Sequence, residues 1–407
     1  MLTRLPAHPS VHPAGRTGPG TAWEAGLHGG PQRCEGLAAA QRAMSRRVRL
    51  ARLLAMPLLV LLPAACCTGR APRLPADPDH APIALQEAVQ LGGSRQWLLI
   101  RGADRSKPLL LFLHGGPGSP YMGFAQQFQA ALEQHFVVVQ WDQRGAGKSY
   151  PGTPAESMTV QQFQSDTHEL VLHLRRRFQR ERLFLLGHSW GAYLGIHEAW
   201  RHPENLHAFV GTGQMIDLLE QERQSHRWAQ TQARARHDDS AERELAGLGE
   251  PPYADTVRGM STKYGQLWAY GGMMEGETGP GRFVRGMLGS PDYSLRDLYH
   301  FVRGSRFSLQ QLARNEGAGF WSLQAPGPQP RFRTPIYFIA GEQDRVTPTS
   351  LVRAYAQSLE APDKQVFLIP GAGHFAFYTH PERFSEAVLE ALGRPRPGGE
   401  GGQPMSP

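Results

Sequence analysis

The chain has only three cysteines, Cys34, Cys66 and Cys67, all within the first 67 of its 407 residues. A thiol nucleophile, a zinc–thiolate site and an internal disulfide framework are therefore excluded for anything folded downstream. Net charge is missing there too. Residues 1–70 hold nine of the 43 basic and two of the 36 acidic residues, so the remainder balances at 34 of each while the whole chain carries +7. A phosphate-binding footprint on the folded part is unsupported, and nucleic acid is not an expected partner. No apolar run reaches the roughly 20 residues of a comfortable bilayer span. Two motif look-alikes also fail. "GAGKS" at 145–149 ends like a phosphate loop, but the first glycine that loop requires would fall at Asp142. "HEAWRH" at 197–202 separates its histidines by five residues, one too many for a metal-binding H-E-x-x-H helix.

What is present begins at the N-terminus. Residues 1–43 are rich in Gly, Pro, His and Ala and show no period, the pattern of a disordered leader. Translation from Met44 would omit them. From Met44 the text reads "MSRRVRLARLLAMPLLVLLPAACC". Four arginines precede a short apolar run, and "PAAC" supplies small residues for cleavage, so 44–66 reads as an export signal. It resembles a bacterial lipoprotein signal, which implies a mature chain starting at a lipidated Cys66 and attached to a membrane. Pro63 departs from the usual aliphatic residue, which leaves plain secretion or an uncleaved anchor open.

After a Pro-rich linker over 67–84, short apolar runs alternate with helical patterns: "PLLLFL", "FVVVQW", "RLFLLGHS", "LHAFVGTG", "TPIYFIAG" and "KQVFLIPG" are the runs. Strands of this kind are buried on both faces, which predicts an α/β fold with a mostly parallel sheet flanked by helices. Residues 214–328 break the rhythm. They are polar, with helical patches and few strand-like runs, and read as a helical cap inserted between strands, dividing the core into 85–213 and 329–393. The tail at 394–407 looks disordered.

One strand ends abruptly in chemistry. Gly187-His188-Ser189-Trp190-Gly191 fits G-x-S-x-G, with an apolar strand before it and a helix after it. Small residues at 187 and 191 let strand and helix approach, which lifts the Ser189 hydroxyl above the sheet and aims the Trp190 N–H at its reaction site. A serine hydroxyl needs a base, and the base needs an orienting carboxylate. Both should follow in the order Asp then His, each just beyond a strand. Asp344 ends "IYFIAGEQD" and His374 ends "VFLIPGAGH". Asp363 lies before its strand, and His380 precedes Pro381 at a helix start, so both are weaker candidates. "HGGPG" at 114–118 offers a second oxyanion donor, Gly116 or else Gly115. Asp142 and Arg144 in "WDQRGAGKS" read as a structural pair beside the site.

Together "HGGPG", "WDQRGAGKS", "GHSWGA", "GEQDRVTP" and "GAGHF" resemble the α/β-hydrolase fold, specifically its prolyl-aminopeptidase-like serine peptidases. The resemblance implies Ser189 as nucleophile, His374 as general base, Asp344 as its orienter, Gly116 and Trp190 as oxyanion hole, and no cofactor or metal. The implied substrate is a short peptide whose N-terminal residue is released; a small-ester hydrolase with another cap pocket is the alternative, and a binding protein without catalysis a remote third. Members that remove N-terminal proline hold the substrate amine with cap glutamates. The candidates here are Glu220 and Glu222, or Glu275 and Glu277. Mass spectrometry of the exported protein should find an N-terminus at a lipid-modified Cys66; a mature chain starting before Met44 contradicts the reading of the leader.

Overall fold

The structure, a computed structural model, describes residues 81–393. The leader, the export segment with Cys66, most of the linker and the tail lie outside the described residues. The chain enters as an antiparallel pair, β1 (Ile83–Leu91) and β2 (Ser94–Gly102), and continues through β3 (Leu109–Leu113) and β4 (Val137–Asp142). Helix α1 (Val160–Phe178), β5 (Leu183–His188), α2 (Trp190–Arg201) and β6 (Leu206–Thr212) follow. Five helices then intervene: α3 (Leu218–Ala235), α4 (Asp239–Leu248), α5 (Thr256–Ala269), α6 (Gly281–Leu288) and α7 (Leu295–Glu316). The chain returns through β7 (Ile336–Gly341), α8 (Thr349–Ser358), β8 (Lys364–Ile369), a short α9 (Ala376–Thr379) and α10 (Pro381–Gly393).

The eight strands lie in the order β1-β2-β4-β3-β5-β6-β7-β8, antiparallel at β1–β2–β4 and parallel from β4 onward. This is the expected α/β fold with a helical cap between β6 and β7. Its central strands are apolar throughout because both faces are covered. In β3, Leu109, Leu111 and Leu113 join one core cluster while Leu110 and Phe112 join the other. That is the period-2 alternation of a strand packed between two helical layers.

The stretch 122–135 forms two 3-10 turns, Met122–Gln127 and Leu132–Gln134. Its aromatics make ring contacts with β3 and α9, Phe128 lying 5.8 Å from Phe112 and 4.8 Å from Phe377. One expectation is corrected: Asp142 does not pair with Arg144. Asp142 ends β4 and Arg144 lies in the turn beyond it, so the two side chains diverge. Arg144 reaches α1, where its Nε and Nη2 donate to Asp166 at 2.8 and 3.0 Å, both side chains fully buried. Asp142 instead accepts from the Lys148 N–H at 2.8 Å and from the Tyr293 hydroxyl of the cap. Burial of Asp142, only partly offset by these bonds, pushes its carboxyl up to about 7.

Removing one partner of a buried ion pair leaves the other charge desolvated and alone. Asp166→Ala should therefore lower unfolding stability by about 3–5 kcal/mol in chemical denaturation; a loss below ~1 kcal/mol would show that Arg144 finds another partner.

Candidate active site

Strand β5 passes into α2 with a single residue between them. Ser189 takes φ 53° and ψ −115°, a conformation that a side chain other than glycine's rarely adopts. Its neighbours allow it. A Cβ on Gly187 would lie 2.4 Å from the Gly191 carbonyl oxygen, and one on Gly191 would lie 2.1 Å from that of Leu113. The corner is pinned by donation from the Ser189 N–H to the Thr212 carbonyl at 3.0 Å. The first N–H groups of α2, Trp190 leading, have no partner within the helix and carry the positive end of its dipole.

His374 sits in the loop after β8. Its Nδ1 donates to Asp344 Oδ2 at 2.9 Å, the tautomer whose neutral form keeps Nε2 as the acceptor. Asp344, in the turn after β7, is held by N–H donation from Val346 and Thr347, each at 2.8 Å, and by the Thr347 hydroxyl at 2.7 Å. Burial pushes this carboxyl up, but the His374 imidazole and the Thr347 bonds outweigh it, so the group is held below the ordinary carboxylate range. Ser189 and His374 line one cavity of about 280 Å³. The weaker candidates lie elsewhere: Asp363 accepts from Tyr337 at 2.7 Å, and His380 meets Thr379 at 2.8 Å.

The glycine loop after β3 supplies the opposite wall. The Gly115 N–H donates to the Tyr121 hydroxyl at 3.0 Å and is consumed there. The Gly116 N–H has no hydrogen-bond partner among the described residues, and Gly116 lines the cavity. Tyr121 in turn donates to His188 Nδ1, and His188 Nε2 donates to the His374 carbonyl at 2.9 Å. Complete burial, with the neighbouring His374 ring, holds His188 well below the usual histidine range and therefore neutral. Sequence reasoning missed His188, Tyr121 and Thr347. The readable signals were the imidazole inside the G-x-S-x-G motif and the threonine three residues after Asp344, an Asx-type spacing.

The cap closes the cavity with Met260, Tyr264 and Trp268 from α5, Met273, and Ser305 and Leu309 from α7. Ser305 and Ser308 bind α7 to the core by donating to the carbonyls of Gly118 at 2.6 Å and Gly145 at 3.0 Å. None of the four candidate glutamates lines the cavity. Glu220 accepts from Gln224 at 2.9 Å on α3, Glu275 is exposed and Glu277 half-buried. Glu222 is hydrogen-bonded to a lining residue, Tyr264. It is fully buried, and one of its oxygens accepts from Lys263 Nζ at 2.8 Å and from the Tyr264 hydroxyl at 3.1 Å.

A cofactor or metal would need other ligands. Among the described residues one trio, His168, Glu198 and His202, brings donor atoms within 4.8 Å of one another, and none of the three lines the cavity. The His168 and His202 rings stack at 3.7 Å and 28°, and His168 Nδ1 meets Glu198 Oε1 at 2.9 Å.

With this geometry in place, comparison with known proteins is direct. A family model described as the alpha/beta hydrolase fold matches residues 108–381, so the chain belongs to that family and is a hydrolase. A Bacillus subtilis (strain 168) protein named probable aminopeptidase YbaC is 30% identical over 312 residues, covering 76% of this chain and 97% of that protein. A proline iminopeptidase of Lactobacillus helveticus is 32% identical over 120 residues, 29% of this chain and 40% of that one. The crystal structure of a proline iminopeptidase-related protein from Thermus thermophilus superposes with a TM-score of 0.54 at 23% identity, covering 76% of this chain and 97% of that one. The chain is thus prolyl-aminopeptidase-like, as its motifs implied.

Gly191→Ala should cost about 3 kcal/mol or abolish folding, because its Cβ meets backbone that cannot yield. A variant with a wild-type melting temperature contradicts the close approach of α2 to β3.

Proposed function

We propose that the protein is a serine hydrolase that releases N-terminal residues from short peptides through an acyl-enzyme on Ser189. The observation that carries this reading is the approach of Ser189 and the Asp344-bound imidazole of His374 to one cavity from three separate turns. Ser189 Oγ attacks the substrate carbonyl while His374 Nε2 takes its proton and passes it to the leaving amine. Water then attacks the acyl group by the same route in reverse. Asp344 fixes the tautomer and stabilises the imidazolium. The N–H groups of Gly116 and Trp190 receive the developing oxyanion, a contribution that in such sites amounts to roughly 3–4 kcal/mol per donor. The likeness to aminopeptidases supports a peptide substrate.

One observation favours a second reading. Ser119, Tyr121, Tyr264 and Ser305 line the cavity among apolar residues, but no carboxylate residue lines it to receive a substrate ammonium. An ester hydrolase needs none.

Ser189→Ala should abolish covalent labelling by a fluorophosphonate probe, and Asp344→Asn should lower kcat by about 10⁴ with little change in KM. Labelling that persists in Ser189→Ala rejects the nucleophile. The purified enzyme should cleave prolyl and alanyl anilides with kcat/KM above that for short-chain esters; turnover of esters alone would replace the peptidase reading by the second.

A further inference from the structure

Of the six exposed large apolar side chains among the described residues, five fall within 284–302: Val284, Leu288, Leu295, Tyr299 and Val302. Three of them stand on α7, where Leu295 is 77%, Tyr299 59% and Val302 68% exposed. Their spacing of four and three residues places them on one helical face. That face is also basic. Arg296, Arg303 and Arg306 are exposed beside them. The carboxylates of the region are turned elsewhere: Asp297 is buried and bound to Lys148 at 2.7 Å, and Asp292 accepts from Gln126 at 2.6 Å. Further along the same helix, Ser305 and Leu309 line the cavity.

We propose that this outer face of α7, with the exposed side chains of α6, docks the hydrolase on an anionic lipid surface. An amphipathic helix with arginines flanking its apolar stripe sinks that stripe into the headgroup boundary and pairs its charges with lipid phosphates. A second copy of the chain fits poorly. A two-fold contact sets the same patch against itself and would oppose arginine to arginine. No described helix is long and apolar enough to cross a membrane. The export-type segment at 44–66 would deliver the folded part to such a surface. Docking goes beyond the proposed reaction and does not rest on it: Ser189→Ala leaves it unchanged.

The test uses the full chain with Cys34, Cys66 and Cys67 replaced by serine and Val302→Cys carrying an environment-sensitive fluorophore, so the signal reports α7 and not the N-terminal segment. Vesicles rich in phosphatidylglycerol should shift the emission to the blue, and phosphatidylcholine vesicles should do so far more weakly. Arg296→Gln, Arg303→Gln and Arg306→Gln together should lower the lipid affinity read by this probe on the order of a hundredfold. Leu295→Gln should weaken it independently, and circular dichroism verifies the fold of each variant. Three results overturn the proposal: no shift on anionic vesicles, as an acidic protein partner would give; a shift that appears without lipid as protein concentration rises, as self-association would give; or an undiminished shift in the arginine variant.

Discussion

The backbone at Ser189 is the constraint on which the active site depends. A positive φ at a residue with a side chain costs about 1–3 kcal/mol and persists only where surrounding structure enforces it. Here the enforcement comes from three directions. Glycines at 187 and 191 let the strand and helix meet at distances that any Cβ would forbid. The neighbouring strand contributes the Leu113 carbonyl, which abuts Gly191, and β6 accepts the Ser189 N–H. The strain therefore serves two ends at once. It lifts the hydroxyl clear of the sheet, and it starts α2 at the point where helix N–H groups face the hydroxyl's reaction partner.

A second layer of order lies behind that corner. His188 is inside the nucleophile motif, yet its ring faces into the protein and joins two loops far apart in sequence. Through Tyr121 it reaches Gly115, and through its other nitrogen it reaches the His374 backbone. The Gly115–Gly116 loop and the His374 loop are thus fixed to one another by a single neutral imidazole. Burial maintains that neutrality, and neutrality is what lets Nδ1 accept while Nε2 donates. A glycine at 188 would leave both loops without this bridge. Gly213 belongs to the same construction: a Cβ there would lie 2.8 Å from the His374 ring.

The sheet and the positions of Ser189, Asp344 and His374 were legible because they follow from local rules. Continuous apolar runs mark buried parallel strands, and a functional residue just past such a run lies at the sheet's C-terminal edge, where neighbouring turns converge. Longer-range pairing left no such mark. Arg144 has a carboxylate two residues away, but its partner is Asp166 on a different helix, selected by how α1 packs on the sheet. The stretch 122–135 has helical composition, yet its ring contacts with Phe112 and Phe377 favour short turns. The cap was hardest to read. Which of its acidic residues approaches the cavity depends on how five helices fold over one another, and periodicity records only which face of each is apolar.

That geometry bears on how the site tells one substrate from another. A free ammonium is best received by a carboxylate with no other partner, and Glu222 is not such a group. One of its oxygens already accepts from Lys263 and Tyr264, while the other is buried without a hydrogen bond. Lys263 cancels most of the charge that a substrate amine would feel. Burial depresses the Lys263 ammonium from its usual range, yet the attraction and hydrogen bond of Glu222 oppose this and hold the pair together. Of these three residues only Tyr264 lines the cavity, and its hydroxyl donates to Glu222. An ammonium donating to that oxygen would gain a dipole backed by a neutralised pair, a weaker and more directional attraction than a bare carboxylate offers. Under the proposed reaction, selection among substrates would fall chiefly to the apolar walls, Met260, Trp268, Met273 and Leu309, which would reward the shape of the acyl side chain more than the charge of the amine.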